Sequence, residues 1–243
     1  MIRVAAVGDI HLGVESAGRL RPAFERVDEH ADVLLLAGDL TRCGSVDEAH
    51  VVAAEVRDLP VPVVAVLGNH DHHAGEAEGV AAVLRDAAVT VLEGDTTVVR
   101  TDGCAVGIAG VKGFGGGFAG ACGSEFGESE MKAFMAHSRE VACDLERALE
   151  SLDTDVRIAL LHYAPAPDTV RGEHPEIFPF LGSYLLGQAV DCAGADLVVH
   201  GHAHRGTERG VTPGGTRVRN VAQPLIGQAY AVYHVPVGAR RAA

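Results

Sequence analysis

The sequence predicts one α/β domain with parallel strands, and three observations lead to this prediction. Short apolar runs alternate with segments of helical periodicity, an order that is typical of parallel sheets with crossover helices. Five of the apolar runs are continuous, as expected for strands that are covered on both faces. The chain has 243 residues and is 47% hydrophobic, which is enough for a substantial core.

The predicted elements follow one another along the chain. Strands that end in polar residues are predicted at 4–7, 33–37, 63–67, 158–161 and 197–199. Helices are predicted at 20–31, 45–56, 77–87 and 131–152, where apolar residues recur at helical spacing. Further strand-like segments at 89–92, 97–100, 105–109, 217–221 and 229–235 indicate a second sheet. No repeat or linker is evident, so residues 1–237 are predicted as a single domain and 238–243 as a disordered tail.

Composition narrows the classes of partner and compartment. The net charge is −13, which disfavours nucleic acid and anionic membranes as general partners. The five cysteines are scattered and form no CxxC pair, as expected for reduced thiols in the cytoplasm. The sequence shows no signal peptide and no apolar run of membrane-spanning length, so a soluble cytoplasmic protein is expected. Composition leaves the oligomeric state open.

Each of the five continuous runs ends in residues whose side chains can bind metal ions. The endings are Gly8-Asp9-Ile10-His11, Gly38-Asp39, Gly68-Asn69-His70-Asp71, His162 and Gly201-His202-Ala203-His204. Open α/β sheets place ligands at the carboxyl ends of their strands. We therefore expect these side chains to converge on one site. Glycines beside the ligands would let the chain turn sharply and approach an ion closely.

The candidate ligands suit a pair of metal ions. They are Asp9, His11, Asp39, Asn69, His162, His202 and His204. Such a set is too large for one tetrahedral ion but fits two adjacent ions that share a carboxylate. Oxygen and imidazole donors without a thiolate favour divalent or mixed-valence Mn, Fe, Zn or Co. Two divalent ions, two carboxylates and a bridging hydroxide leave a charge of about +1, which suits activation of water against a phosphate ester.

In this order the motifs resemble the calcineurin-like metallophosphoesterase superfamily, from residue 9 to residue 204. The resemblance implies a four-layer α/β fold in which two mixed β-sheets pack as a sandwich flanked by helices. It also implies that one metal is held by Asp9, His11, Asp39 and His204. The other metal would be held by Asp39, Asn69, His162 and His202, with Asp39 as the bridge. His70 would act near the leaving group as a general acid or phosphate contact, and Asp71 would orient His70.

One departure from the superfamily pattern narrows the predicted activity. The protein serine/threonine phosphatases carry an arginine where this sequence has Cys43, and Arg42 is one position off. The pattern is more similar to that of small bacterial phosphodiesterases of the cyclic-nucleotide type. We therefore predict a binuclear phosphohydrolase in which a metal-bridging hydroxide attacks a small phosphodiester or phosphomonoester.

Two other functions and one segment stay open from sequence alone. The start Asp9-Ile10-His11-Leu12-Gly13 also resembles the nuclease subunits of double-strand-break repair, but the acidic charge disfavours a nuclease. A non-catalytic scaffold of the same fold is disfavoured because every expected ligand is present. The glycine-rich segment 112–120 is either a surface loop or a lid that uses Lys112 and its phenylalanines to shape access to the metals. Residues 164–182 are expected to form a pocket wall.

Overall fold

A computed structural model describes residues 1–101 and 103–238. It confirms the α/β class with two large mixed sheets that are flanked by helices. Of the predicted tail at 238–243, only Gly238 falls within the described residues, and it is exposed. Within the described ranges, no helix combines the length and apolar character needed to cross a membrane.

The first sheet contains three of the strands that carry predicted ligands. Its strands are β1 (Ile2–Val7), β2 (Val33–Ala37), β3 (Val63–Val66), β4 (Val89–Val91) and β13 (Ala231–Val235). Their order is β13-β1-β2-β3-β4. β1 to β4 are parallel neighbours, and β13 runs antiparallel to β1.

The second sheet contains the other two ligand-bearing strands. Its strands are β5 (Asp95–Thr101), β6 (Cys104–Val111), β9 (Val156–Leu161), β10 (Leu197–His200), β11 (Arg209–Val211) and β12 (Arg217–Asn220). The order is β11-β12-β10-β9-β6-β5, with the central four strands parallel and the two edge strands antiparallel. A small hairpin of β7 (Gly117–Phe118) and β8 (Ala121–Cys122) stands apart.

Helices cover the outer face of each sheet. They are α1 (Arg21–Phe24), α2 (Val46–Val56), α3 (Ala77–Asp86), α4 (Ser129–Glu150), α6 (Tyr184–Ala193) and α7 (Gln223–Ile226). The short α5 (Phe178–Leu181) packs on the β7–β8 hairpin. Ser45 begins α2 as a cap, because its hydroxyl accepts a hydrogen bond from the Glu48 N–H. The predicted helix at 20–31 is only partly helical: α1 ends at Phe24, and a 3-10 turn follows at Val27–Glu29.

Three apolar clusters hold the four layers together: one lies between the two sheets, and one lies between each sheet and its helices. Alternate residues of β1 show the division: Val4 packs between the two sheets, whereas Ala5 packs outward against helices. The outer face of the first sheet is covered by residues such as Phe24, and that of the second by residues such as Leu145. Central strands are therefore buried on both faces, which is why their apolar runs are continuous.

Two segments differ from the sequence-based expectation. Helix α6 was not predicted; its signal was Ser183, whose hydroxyl accepts a hydrogen bond from the Leu185 N–H ahead of a short apolar run. The glycine-rich segment is not a surface loop over most of its length, since Gly113 and the residues 115–118 are buried. Gly117 shows why glycine is needed there, because a Cβ would lie 2.1 Å from the Ala121 carbonyl oxygen.

Candidate metal centre

The structure brings the predicted ligands together at one edge of both sheets. Three groups of side chains have donor atoms that all lie within 4.8 Å of one another: Asp9, His11 and His204; His11, Asp39 and His70; and Asp39, His162 and His202. Asn69 joins the third group, since its Oδ1 lies 3.0 Å from His162 Nε2. The sheets are tied at this edge by backbone hydrogen bonds from Gly8 N–H to the Val221 carbonyl and from Val221 N–H to the His200 carbonyl.

Left-handed backbone turns aim the ligands from the first sheet. The φ angles of Asp9, His11 and Asp39 are 56°, 42° and 51°, a region that residues with side chains seldom adopt. Such strain costs about 1–3 kcal/mol per residue and is concentrated at functional sites. Gly68 makes the close approach possible, because a Cβ there would lie 2.1 Å from Asp39 Oδ1. The loops are therefore shaped for the position of these side chains.

Asp9 anchors one end of the centre. Both of its oxygens accept hydrogen bonds from the His202 N–H, at 3.0 and 2.8 Å, and Oδ1 lies 2.9 Å from His204 Nε2. Burial raises the pKa of Asp9 to about 6; contact with His204 opposes this shift, and nearby Asp39 adds to it. The same contact with Asp9 raises the pKa of His204. Two buried carboxylates close together disfavour each other's ionised form unless positive charge is supplied.

Backbone carbonyls orient the histidines of the second sheet. His162 is fully buried, and its Nδ1 lies 2.9 Å from the Ala37 carbonyl oxygen, which can only accept. The proton therefore sits on Nδ1, and the Nε2 lone pair faces Asp39 Oδ1 at 3.4 Å. In His202 the pattern is reversed: Nε2 lies 3.1 Å from the Phe180 carbonyl, which leaves Nδ1 free to coordinate. Burial lowers the pKa of His202 to about 3, so the ring is neutral.

These contacts fit bound cations. Within the described residues, His11 Nε2 is a fully buried polar atom without a hydrogen-bond partner, and it lies 3.9 Å from Asp39 Oδ2. At this distance the two atoms do not form a hydrogen bond, and burial lowers the pKa of His11 to about 4, so the ring is neutral. Lone pairs of neutral imidazoles that face carboxylate oxygens are repulsive alone and favourable around a metal ion. Oxygen and imidazole donors are the set that Mn, Fe and Zn accept.

His70 and Asp71 follow Asn69 in a short 3-10 turn. His70 Nδ1 lies 2.7 Å from the Arg42 carbonyl oxygen, and Nε2 lies 4.0 Å from Asp39 Oδ2 on the exposed side. The Asp71 carboxylate is fully buried and accepts hydrogen bonds from the N–H groups of Leu40, Thr41 and Gly68 and from the Thr41 hydroxyl. The Asp71 carboxylate therefore contacts the loop backbone near His70, whereas the Arg42 carbonyl contacts the His70 ring directly.

Two neighbouring residues have other partners. Both ring nitrogens of His200 are engaged, Nδ1 with the Gly201 carbonyl at 2.7 Å and Nε2 with the Thr169 hydroxyl at 2.8 Å. His200 is therefore a structural residue. The Arg42 guanidinium pairs with Glu15 and is half-exposed. Sequence reasoning missed the roles of the Ala37, Arg42 and Phe180 carbonyls, since any residue type can supply a backbone oxygen.

Two mixed sheets that bring Asp, Asn and His side chains together at their carboxyl ends are typical of metal-dependent phosphoesterases. Residues 2–206 match the family described as calcineurin-like phosphoesterase, and the chain belongs to this family. The family uses divalent metals and acts on small phosphate esters, which confirms the metal-dependent phosphoesterase class predicted from sequence. No protein with curated annotation gives a significant match.

Solved structures with the same fold are distant in sequence. Phosphopantetheinyl hydrolase (PptH) from Mycobacterium tuberculosis is 16% identical, with a TM-score of 0.65 over 90% of this chain and 88% of that chain. TT1561 of Thermus thermophilus is 16% identical, with a TM-score of 0.56 over 92% and 90%. GAP50, the anchor in the inner membrane complex of Plasmodium, is 14% identical, with a TM-score of 0.55 over 92% and 72%. A hydrolase and an anchor share the fold, so function must be argued from the site.

Proposed function

We propose that this chain is a binuclear metallophosphoesterase that hydrolyses a small phosphodiester or phosphomonoester. One metal would be held by Asp9, His11, Asp39 and His204, and the other by Asp39, Asn69, His162 and His202. The observation that carries the proposal is the position of Asp39, whose carboxylate oxygens face His11 on one side and His162 on the other. A carboxylate between two groups of imidazoles is the arrangement that a shared ligand requires.

The metals and the protein have separate tasks in this reaction. Two divalent ions, when bound, would supply a nucleophile from water at neutral pH and would neutralise charge on the phosphoryl oxygens. The chain holds His162 and His202 in the tautomers that can coordinate a metal. In each ring the other nitrogen donates a hydrogen bond to a backbone carbonyl, that of Ala37 or Phe180. The left-handed turns at Asp9 and Asp39 keep both carboxylates in place before substrate binds, so little reorganisation is needed.

His70 is the residue that we assign to the leaving group. The Arg42 carbonyl fixes the proton on Nδ1, and Nε2 then faces the open side of the centre. When the ring carries a second proton on Nε2, that proton can pass to the ester oxygen as it departs, and Nδ1 keeps its own proton. His70 also belongs to a possible ligand group with His11 and Asp39, so the alternative is that it coordinates a metal. Activity and metal content of a His70 variant separate these two roles.

A non-catalytic scaffold with the same fold is disfavoured by the cost of the site. Four residues of the centre, Asp9, His11, Asp39 and His202, have positive φ angles between 42° and 69°. At about 1–3 kcal/mol each, this strain is substantial for a protein with the usual marginal stability. A surface that only contacts another protein gains nothing from strained residues and buried lone pairs.

The decisive experiment combines metal analysis with a substrate screen. Elemental analysis of the purified chain should find close to two ions per chain, with Mn, Fe and Zn as the expected elements. The metal-loaded protein should hydrolyse at least one of bis-p-nitrophenyl phosphate, p-nitrophenyl phosphate and 2′,3′- or 3′,5′-cyclic nucleotides. A chain that holds two ions and hydrolyses none of these esters would contradict the proposed substrate class. A single tightly held ion would contradict the binuclear assignment.

A further inference from the structure

Lys112 lies at the end of another strand that reaches the same edge as the ligands. β6 pairs in parallel with β9, and Val111 lies opposite Leu161. Lys112 therefore follows β6 at the level at which His162 follows β9. The Lys112 carbonyl accepts hydrogen bonds from the backbone N–H groups of His162 and Tyr163, both at 3.0 Å. The backbone thus holds this lysine directly beside a predicted metal ligand.

Aromatic rings surround the ammonium group. Lys112 Nζ lies 5.4 Å from the centroid of the Phe114 ring and 5.7 Å from that of Tyr163. The Tyr163 ring in turn packs on His202, with 4.3 Å between the ring centroids. The Tyr163 ring therefore contacts both the ammonium group of Lys112 and the predicted ligand His202. Contacts with two ring faces restrict the position of an otherwise flexible side chain.

The ammonium group is near carboxylates but not paired with one. Within residues 1–101 and 103–238, no carboxylate oxygen lies within 4.0 Å of Lys112 Nζ. Burial lowers the pKa of this ammonium, and Glu93 and Asp39 act against that shift from a distance. The Tyr163 hydroxyl also has no hydrogen-bond partner in the described part of the chain. Since both residues are largely enclosed, their free donors are available to a ligand rather than to protein.

A lysine in this place is explained by an anion. When cations occupy the neighbouring centre, like charges repel across a partly buried region and disfavour the ammonium. An anion that lies between them removes this repulsion and accepts hydrogen bonds from both donors. A metal ligand cannot be the purpose of this side chain, since an ammonium has donors and no lone pair.

We propose that Lys112, together with the Tyr163 hydroxyl, binds a non-bridging oxygen of the phosphate group of the substrate. This inference rests on the proposed function, because it requires a phosphate ester at the centre. It also names the preferred substrate class. An additional positive charge favours the dianion of a phosphomonoester over the monoanion of a phosphodiester, so Lys112 shifts specificity towards monoesters.

Chemical labelling can test the contact without measuring turnover. The chain has only two lysines, Lys112 and Lys132, and Lys132 lies on the exposed side of α4. The metal-loaded full chain is labelled with acetic anhydride at increasing concentrations of inorganic phosphate, and peptide mass spectrometry follows both lysines. Phosphate should slow acetylation of Lys112 and leave Lys132 unchanged. Equal rates for Lys112 with and without saturating phosphate would overturn the proposal.

Kinetics of matched variants test the substrate preference. Lys112→Met should lower kcat/KM for p-nitrophenyl phosphate by about 10-fold to 100-fold, the usual loss for a hydrogen bond to a charged group. The loss for bis-p-nitrophenyl phosphate should be smaller, and Lys112→Arg should restore part of the activity. Lys132→Met is the control and should match wild type. Equal losses for the two esters would contradict the charge argument.

The outcomes separate this inference from the proposed function. Wild-type protein that binds metals and hydrolyses esters, with Lys112→Met equally active and holding the same metals, would overturn the role of Lys112 alone. Wild-type protein that hydrolyses neither ester would overturn the proposed function instead. If Lys112→Met does not fold, as shown by circular dichroism, the labelling of wild type still decides whether phosphate reaches Lys112.

Discussion

The two sheets contribute different chemistry to the same centre. The first sheet provides both carboxylates, Asp9 and Asp39, on turns with left-handed backbone. The second sheet provides only imidazoles, and backbone carbonyls orient His162 and His202. One half of the site therefore carries the charge that attracts the ions, and the other half carries neutral donors with a fixed tautomer.

This difference indicates how the centre is assembled. The imidazoles of His162 and His202 have lowered pKa values because they are buried, so they are ready to coordinate at neutral pH. The carboxylates repel each other when both are ionised, and the cost falls when an ion binds. Bound ions would thus join the ends of the two sheets, in addition to the backbone hydrogen bonds through Val221. The following variants remove one contribution at a time.

The largest effect is expected for Asp39→Ala. Asp39 lies between the two groups of imidazoles, so its loss should remove both metals and abolish hydrolysis. The loss of metal affinity should exceed the ~10–100-fold that is typical for an outer-shell partner. Elemental analysis after dialysis gives the number of ions per chain. Two ions retained in this variant would show that Asp39 is not a bridge.

His204→Ala is the matched change in the second half of the site. His204 contacts Asp9, and it is half-exposed, so its removal should be tolerated by the fold. We expect this variant to lose one ion and to keep the other, because only one group of ligands is affected. Loss of both ions from His204→Ala would mean that the two groups of ligands are not as separate as the geometry indicates.

His70→Ala should have the next-largest effect on activity. The variant should keep both metals and the fold but lose about 10²–10⁴-fold in kcat, the typical contribution of general acid-base catalysis. The loss should be greatest for esters with alkoxide leaving groups and smaller for p-nitrophenolate, which departs without a proton. Rates are measured with one substrate of each kind. Loss of a metal would instead identify His70 as a ligand.

Gly68→Ala should displace the Asp39 carboxylate by a steric clash, without removing any ligand. The new Cβ would lie 2.1 Å from Asp39 Oδ1, so either the loop or the carboxylate must move. Overpacking of this kind costs about 1–3 kcal/mol, which corresponds to a fall in Tm of several degrees for a chain of this size. Metal content should also fall. Gly238→Ala is the control, since Gly238 has no positive φ and a Cβ there has no atom within 4 Å, so Tm and metal content should stay unchanged.

Much of the fold and the position of the centre could be predicted from sequence. The central strands are buried on both faces, so their apolar runs are unbroken and easily recognised. Each run stops where a polar ligand begins, and parallel strands bring such endings to one edge. The positions of Asp9 and His162 could therefore be inferred without coordinates, although they are 153 residues apart in the chain.

Other features of the site could not be predicted, for physical reasons. The tautomer of His162 depends on the Ala37 carbonyl, and a backbone oxygen has no signature in the sequence. The contacts of the Asp71 carboxylate could not be predicted either, because they join two loops that meet only in the folded chain. The burial of the glycine-rich segment was also hidden, because glycines are equally typical of exposed loops and of close backbone packing.

The smallest effect is expected for Arg42→Ala, which tests whether backbone alone can orient a catalytic histidine. The Arg42 guanidinium pairs with Glu15 at the surface, and such exposed pairs contribute little. The contact with His70 is made by the Arg42 carbonyl, which alanine retains. We therefore expect kcat and KM to stay within about threefold of wild type, in contrast to His70→Ala. A loss of 100-fold or more would show that the guanidinium acts on the substrate. In that case the charged part of the site would include the Arg42 guanidinium in addition to the carboxylates of Asp9 and Asp39.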